Sequence, residues 1–325
     1  MKAYNYCHTE LFNRCITVFG RPLKDRSGGV ALVLVIWVII VLIAIVGEFS
    51  YSMRTEINIT RNFKEEEEAY QLALAGIEQA KAELLNAKDI TRMYVDANDV
   101  LILDPDADVP ERKGELGKGN FQYTITDEGG KMNLNTATMD QLRNIFSNAG
   151  VKTEEIDTIV DSIFDWRDAD DLHMLNGAEE DYYQSLDRPY SCKDGPFDLP
   201  EELLLVKGVT PEILYGSKAN DKEEAVDGVE KYFTVYGSGL INRWTASKVL
   251  LETIYGPVET DNIIAQRESG QINIKTAGVG EGVEVFSIVS TGMNSGGSVK
   301  RTVKAVVQKD EDDLEVIYWN DNIIG

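Results

Sequence analysis

From Val30 to Val46 the sequence carries no charged or polar side chain other than the indole N–H of Trp37. As a helix these 17 residues extend about 25 Å, at the short end of what spans a bilayer. Lys24 and Arg26 lie just before the run and Glu48 just after it. That charge order predicts a cytoplasmic N-terminus with the rest of the chain outside. A cleaved secretory signal does not fit, because the run is too long and Val46-Gly47-Glu48-Phe49-Ser50 is a poor small-x-small site. Two readings stay open. One is a plain single-pass anchor. In the other, a cut after Gly29 leaves the whole run on the protein, with Val30 first.

The next segment favours the second reading, because the helical pattern does not stop at the membrane. Ser50 to Asn86 contains no proline, and Phe63, Tyr70, Leu74, Ile77 and Leu84 recur at helical spacing, which predicts one apolar stripe. Glu65 to Glu68 reads as a solvated charge run. A continuous helix from Val30 to Asn86 would be about 85 Å long. Basic residues, a glycine and then an apolar helix kept on the protein resemble the type IV prepilin pattern. The layout implied is that of pilins and pseudopilins, a long helix carrying a globular head. The segments are then a leader (1–29), a transmembrane part (30–47) and an amphipathic part of the helix (48–88).

Residues 89–132 read as loop followed by a first strand. Asp104-Pro105-Asp106-Ala107-Asp108-Val109-Pro110 is rich in turn formers, and its alternating aspartates fit an exposed acidic turn better than a cation site. Phe121 to Asp127 alternates and predicts a strand, ended by Gly129-Gly130. Residues 133–270 read as helical and contain an internal echo. Met132-Asn133-Leu134-Asn135-Thr136-Ala137 is answered by Ile241-Asn242-Arg243-Trp244-Thr245-Ala246. Each copy leads to a helix ending in arginine, at Arg167 and Arg267. The Asn and Thr residues are expected to cap the helices that follow. Between the copies, Glu201 to Glu212 has a helix–turn–helix look, with Gly208 at the turn and Thr210-Pro211 opening the second helix. Residues 271–325 predict strands at Val283–Ser290, Val299–Gln308 and Leu314–Trp319. The expected fold class is a small α/β domain, a long N-terminal helix on an antiparallel sheet, with a large all-α domain of helix-hairpin-helix-like repeats inserted.

The formal net charge is −23. Residues 1–29 hold five basic and two acidic side chains, so the remainder carries −26. That excess argues against nucleic acid as a main partner, since phosphate contact requires a basic surface. Of the three cysteines, Cys7 and Cys15 precede the apolar run, and Cys192 stands alone and reads as a buried small apolar residue. Only His8 and His173 are present, which leaves no serine or cysteine triad.

The densest cluster of chemistry-bearing residues is acidic. Residues 165–181 hold seven carboxylates, among them Asp165, Asp168, Asp170, Asp171 and Glu179. Carboxylates crowded in an ordered loop repel unless a cation joins them, and hard oxygen ligands select Ca²⁺. The spacing fails the EF-hand pattern, because Arg167, Ala169 or Leu172 would fall on ligand positions. A merely solvated acidic loop is the alternative. Paired-carboxylate glycosidase chemistry needs two acids facing across a cleft, which a spacing cannot provide.

Taken together, Gly29 followed by Val-Ala-Leu-Val-Leu-Val-Ile-Trp, Asn133-Leu-Asn-Thr-Ala, Asp165-Trp-Arg-Asp-Ala-Asp, Gly177-Ala-Glu and Glu201-Glu-Leu-Leu-Leu-Val-Lys-Gly resemble the K class of type II secretion minor pseudopilins, in order and from Gly29 on. The resemblance implies cleavage by prepilin peptidase between Gly29 and Val30, methylation of Val30, and Ca²⁺ on the acidic stretch. It implies a non-catalytic subunit at the pseudopilus tip, in the bacterial inner membrane with its head in the periplasm. The implied partners are the I-, J- and H-class minor pseudopilins, the peptidase, the inner-membrane assembly platform and the bilayer. Major pilins carry Glu at the fifth mature position, where this chain has Leu34. A buried Glu in lipid must pair with the subunit above it, so Leu34 is the expected mark of a subunit with nothing above. The rivals are a tip subunit of a type IV pilus and a DNA-binding hairpin protein centred on Lys207-Gly208.

Overall fold

A computed structural model describes residues 27–87, 90–107, 109–217, 227–269, 284–310 and 313–323. Most of the 1–29 leader lies outside these residues. Helix α1 (Ser27–Asn86) is a single α-helix. Its apolar portion is long and hydrophobic enough to cross a membrane. The chain divides into two units, residues 1–64 and 65–325. In the first, every described side chain from Gly29 to Lys64 is exposed. Phe63, expected on the buried stripe, is among them at 69 % exposure.

The second unit begins with the last turns of α1, which bury Ala69, Leu72, Ala73, Ile77, Ala80 and Leu84. The stripe read from large residues was therefore rotated. Ile77 and Leu84 belong to it, but Tyr70 and Leu74 flank it. The reason is close approach. A Cβ on Gly292 would lie 2.1 Å from the Ala69 carbonyl oxygen, and one on Gly76 would lie 2.2 Å from Ser290 Oγ. Only small residues let a helix backbone come that near a strand.

The helix packs on a five-stranded antiparallel sheet of order β3-β4-β7-β8-β9. The strands are β3 (Lys113–Leu116), β4 (Gly119–Asp127), β7 (Glu284–Met293), β8 (Lys300–Asp310) and β9 (Asp313–Ile323). The three C-terminal strands stand where the alternation placed them, each running a few residues further. In β4 the alternation is complete, with Phe121, Tyr123 and Ile125 buried and Gln122, Thr124 and Thr126 exposed. Phe286, Ile288, Val303, Ala305 and Val307 join them in one core with α1. The region read as loop also forms a small hairpin, β1 (Tyr94–Val95) with β2 (Leu101–Ile102). Two-residue strands leave no period to read.

Strands β4 and β7 are neighbours, with Asp127 opposite Phe286, yet the helical region lies between them in sequence. It has its own core, which includes Leu142, Phe146, Ile159, Ile163, Trp166, Tyr183, Phe233, Trp244 and Leu251. A short parallel pair, β5 (Met132–Asn133) with β6 (Phe233–Thr234), ties its two halves. Asp127 joins it to the sheet. This buried carboxylate accepts from Asn242 Nδ2 at 2.9 Å, Thr245 Oγ1 at 2.5 Å and Gly129 N at 2.9 Å. Burial nevertheless pushes its pKa up. Lys304 on β8 reaches Glu201 and Glu230 at 3.8 and 3.7 Å.

The internal echo is structural. In the first copy, helix α2 (Met139–Asn148) is followed by α3 (Thr153–Arg167); in the second, α6 (Lys248–Tyr255) is followed by α7 (Pro257–Glu268). Arg167 donates to the carbonyls of Leu134 and Ala137. Arg267 donates to those of Arg243 and Ala246, the same two positions of the second copy. Asn133 Oδ1 accepts from Asn135 N at 2.8 Å and Asn242 Oδ1 from Trp244 N at 3.1 Å. The helix caps, however, are Thr138 and Ser247, not the Asn and Thr residues expected. Those shape the turn before the helix instead. At the hairpin, Gly208 has φ +89° and Thr210 caps a helix with Pro211 in its first turn, as read. The element before it is a 3₁₀ turn (Pro200–Leu205) rather than an α-helix, and α5 (Pro211–Tyr215) is one short turn.

Candidate functional site

The acidic residues gather at the C-terminal end of α3, under the loop that leads to α4 (Glu180–Gln184). Asp165 is fully buried, and both its oxygens accept from Met174 N, at 3.1 and 3.2 Å. One turn earlier, Asp161 accepts from Asn176 N at 3.1 Å and Asn176 Nδ2 at 3.0 Å. Two carboxylates of one helix thus hold the backbone of the loop. Lys207 holds its other side, donating to the carbonyls of Asn176 at 3.2 Å and Gly177 at 2.8 Å, with its ammonium over the Tyr182 ring. Gly177 has to be glycine, since a Cβ there would fall 1.9 Å from Asp165 Oδ2. Trp166, Tyr183 and Tyr190 stack beside the site, the first two edge to face at 5.1 Å.

Glu179 ends this loop. It is 1 % exposed, and neither carboxylate oxygen has a hydrogen-bond partner among the described residues. A buried carboxylate without a donor is costly and normally avoided. Burial, followed by the nearby charges of Asp165, Asp168 and Asp194, pushes its pKa up to about 7. Burial raises the pKa of Asp165 and Asp168 as well. Four carboxylates therefore converge, and among the described residues no lysine or arginine is paired with Glu179. That is the donor set of a hard divalent cation, and the orphaned oxygens of Glu179 fit one.

Of the five residues expected from sequence, the fold brings Asp165, Asp168 and Glu179 together. Asp170 and Asp171 are exposed, and Asp170 accepts from Leu172 N at 2.9 Å. The reading missed Asp194, which arrives from a separate loop with φ +49°. The Asp194-Gly195 turn pair was the only trace of it. Cys192 is 7 % exposed, in keeping with its reading as a small buried residue, but its thiol borders this pocket. Its Sγ, a Glu179 oxygen and an Asp194 oxygen all lie within 4.8 Å of one another. Burial raises the thiol pKa to about 12. On α1, Gly29 has open space around its Cα, and Val30 and Leu34 are 69 % and 60 % exposed.

Comparison with known proteins bears on the same region. Residues 123–216 match the family model of type II secretion system (T2SS) protein K. The "putative type II secretion system protein K" of Escherichia coli K12 is 27 % identical over 206 residues, 59 % of this chain and 61 % of that protein. The type II secretion system protein K of Aeromonas hydrophila is 24 % identical over 208 residues, 58 % of this chain and 61 % of its own length. The chain thus spans about three-fifths of the length of these curated relatives. The fold matches a chain in the crystal structure of the GspK-GspI-GspJ complex from the enterotoxigenic E. coli type 2 secretion system. That match has a TM-score of 0.56 and 17 % identity, and covers 82 % of this chain and 99 % of the other. Residues 123–216 thus match type II secretion system protein K, and the fold as a whole is that of the matched chain.

Proposed function

We propose that this chain is a structural, non-catalytic minor pseudopilin at the tip of a secretion pseudopilus, where it starts assembly with the I- and J-class minor pseudopilins, the H class lying nearby. The observation that carries the reading is the placement of a whole helical domain between two adjacent strands of a pilin-like head. A head enlarged in this way suits a filament end and crowds a packed shaft. The complex named for the structural relative supports the I- and J-class partners. Full-length protein extracted from membranes with its partners should co-purify with I- and J-class subunits. Recovery with shaft subunits alone would overturn the placement.

Prepilin peptidase cuts after Gly29, the mature chain opens on methylated Val30, and α1 then anchors it in the inner membrane with the head in the periplasm, where it meets the assembly platform. N-terminal sequencing that began at Met1 would refute this. Leu34 leaves the N-terminal amine of a subunit above without a carboxylate, so nothing is stacked there. Leu34→Glu should shift the protein from the tip into the shaft, and unchanged placement would remove the argument.

The pocket of Asp165, Asp168, Glu179 and Asp194 holds Ca²⁺, which would neutralise four converging carboxylates and lock the loop between α3 and α4. Calorimetric titration of the full chain with Ca²⁺ should give binding that Glu179→Gln abolishes. The DNA-binding alternative loses its main residue, because Lys207 is spent on the carbonyls of its own loop.

A further inference from the structure

We propose that Glu179, Cys192 and Asp194 form a mixed sulfur–oxygen site for a thiophilic divalent ion of the Zn²⁺ class, which excludes Ca²⁺ from the pocket when filled. The proposal rests on the pocket being a cation site and adds the class of ion that competes for it.

The geometry carries the argument. Cys192 Sγ and one oxygen each of Glu179 and Asp194 lie within 4.8 Å of one another. Zn–S bonds of about 2.3 Å and Zn–O bonds of about 2.0–2.2 Å place tetrahedral ligands some 3.3–3.8 Å apart. A contraction of about 1 Å closes the set, and Asp194, exposed at the rim, can supply it. Glu179 is the independent sign of a cation site, since both its oxygens are buried with no donor among the described residues. Calcium takes oxygen ligands only and gains nothing from sulfur, so Cys192 would be idle on its account. Thiolate ligands favour the softer ions. Binding forms the metal–sulfur bond and releases the thiol proton. Asp194, exposed at the rim beside the thiol, stands between that proton and water. Glu179 and Asp194 serve either ion, so the two cannot bind together.

Co²⁺ replaces Zn²⁺ in such sites and reports a thiolate ligand by a near-ultraviolet charge-transfer band. Full-length protein in detergent should develop this band on Co²⁺ addition and lose it on adding excess Zn²⁺ or Ca²⁺. In the chain cleaved after Gly29, and so without Cys7 and Cys15, Cys192→Ser should remove the band and weaken Co²⁺ binding by about tenfold or more. Its Ca²⁺ affinity should stay within about threefold, since sulfur is not a calcium ligand. Asp194→Asn, at an exposed position, tests the set without disturbing the core. Absence of the band in the unmutated protein, its survival in Cys192→Ser, or its persistence under Ca²⁺ that calorimetry shows to be bound would overturn the proposal. A band without calorimetric Ca²⁺ binding would sink the calcium reading and leave this one standing.

Discussion

The two helical copies of the insertion use one device and differ in what they do with it. In both, an arginine at the end of the second helix donates to two backbone carbonyls of the turn that opens the first. The first copy then places Asp165 two residues before its arginine, where the second has Ala265. The first is followed by a loop held by Asp161, Asp165 and Lys207 and closing on Glu179; residues 270–283, after the second, lie outside the described residues. The staple is therefore scaffold, and the acidic pocket is an addition to one copy. Structure common to both copies should govern stability; what is peculiar to the first should govern cation response.

The largest expected effect tests the common part. Arg267 is 7 % exposed, and burial lowers its pKa to about 10. Arg267→Met strands two buried carbonyls and should cost about 3 kcal/mol in denaturant unfolding. Arg167 is less buried and also lies over the Phe164 ring. Arg167→Met should cost about 2 kcal/mol. A negligible cost at either site would break the equivalence of the two staples.

Next comes Gly177, in the loop that follows the first copy. Gly177→Ala drives a methyl into Asp165. It should cost about 2 kcal/mol by overpacking and also weaken Ca²⁺ binding about tenfold or more, since it displaces a ligand. Unchanged calorimetric affinity would separate the loop from the pocket.

A third effect concerns pH. In the cation-free protein Glu179 titrates near 7, against about 4.3 unfolded. The folded state then binds more protons than the unfolded one, so stability falls as pH rises from about 4.5 to 7. Ca²⁺ binds the ionised forms and should reverse that slope. Thermal melts in chelator and in Ca²⁺ across this range should diverge as pH rises. Glu179→Gln should flatten the chelator series. The smallest effect is the control, Ala265→Asp. Residue 265 is exposed, so stability should change by less than about 0.5 kcal/mol, and no new Ca²⁺ site should appear in calorimetry.

The same contrast explains what the sequence could tell. The staples were legible as an echo because Asn, Thr and Arg recur at fixed positions. The sheet was legible because Phe121, Tyr123 and Ile125 alternate with polar residues. The buried face of α1 was misread because periodicity was sought in large side chains, while the contact uses Ala69, Ala73 and Gly76. The pocket was half legible. Asp165, Asp168 and Glu179 stand close in sequence, but Asp194 is carried in by a loop whose position depends on tertiary packing. Cys192 was read for its size, and its neighbours became visible only in three dimensions.

The pairing of Asp127 with Phe286 also constrains the order of folding. Closing the intervening chain as a random loop costs about 4 kcal/mol in entropy, which the β4–β7 ladder would have to repay from its first contacts. If the insertion folds first, Asn242 and Thr245 already sit on Asp127, the stretch left to close shrinks to that between Thr245 and Phe286, and part of that cost is gone. The head should therefore mature from the inside of the sequence outward, with the helical domain acting as the template on which the sheet of its host is completed.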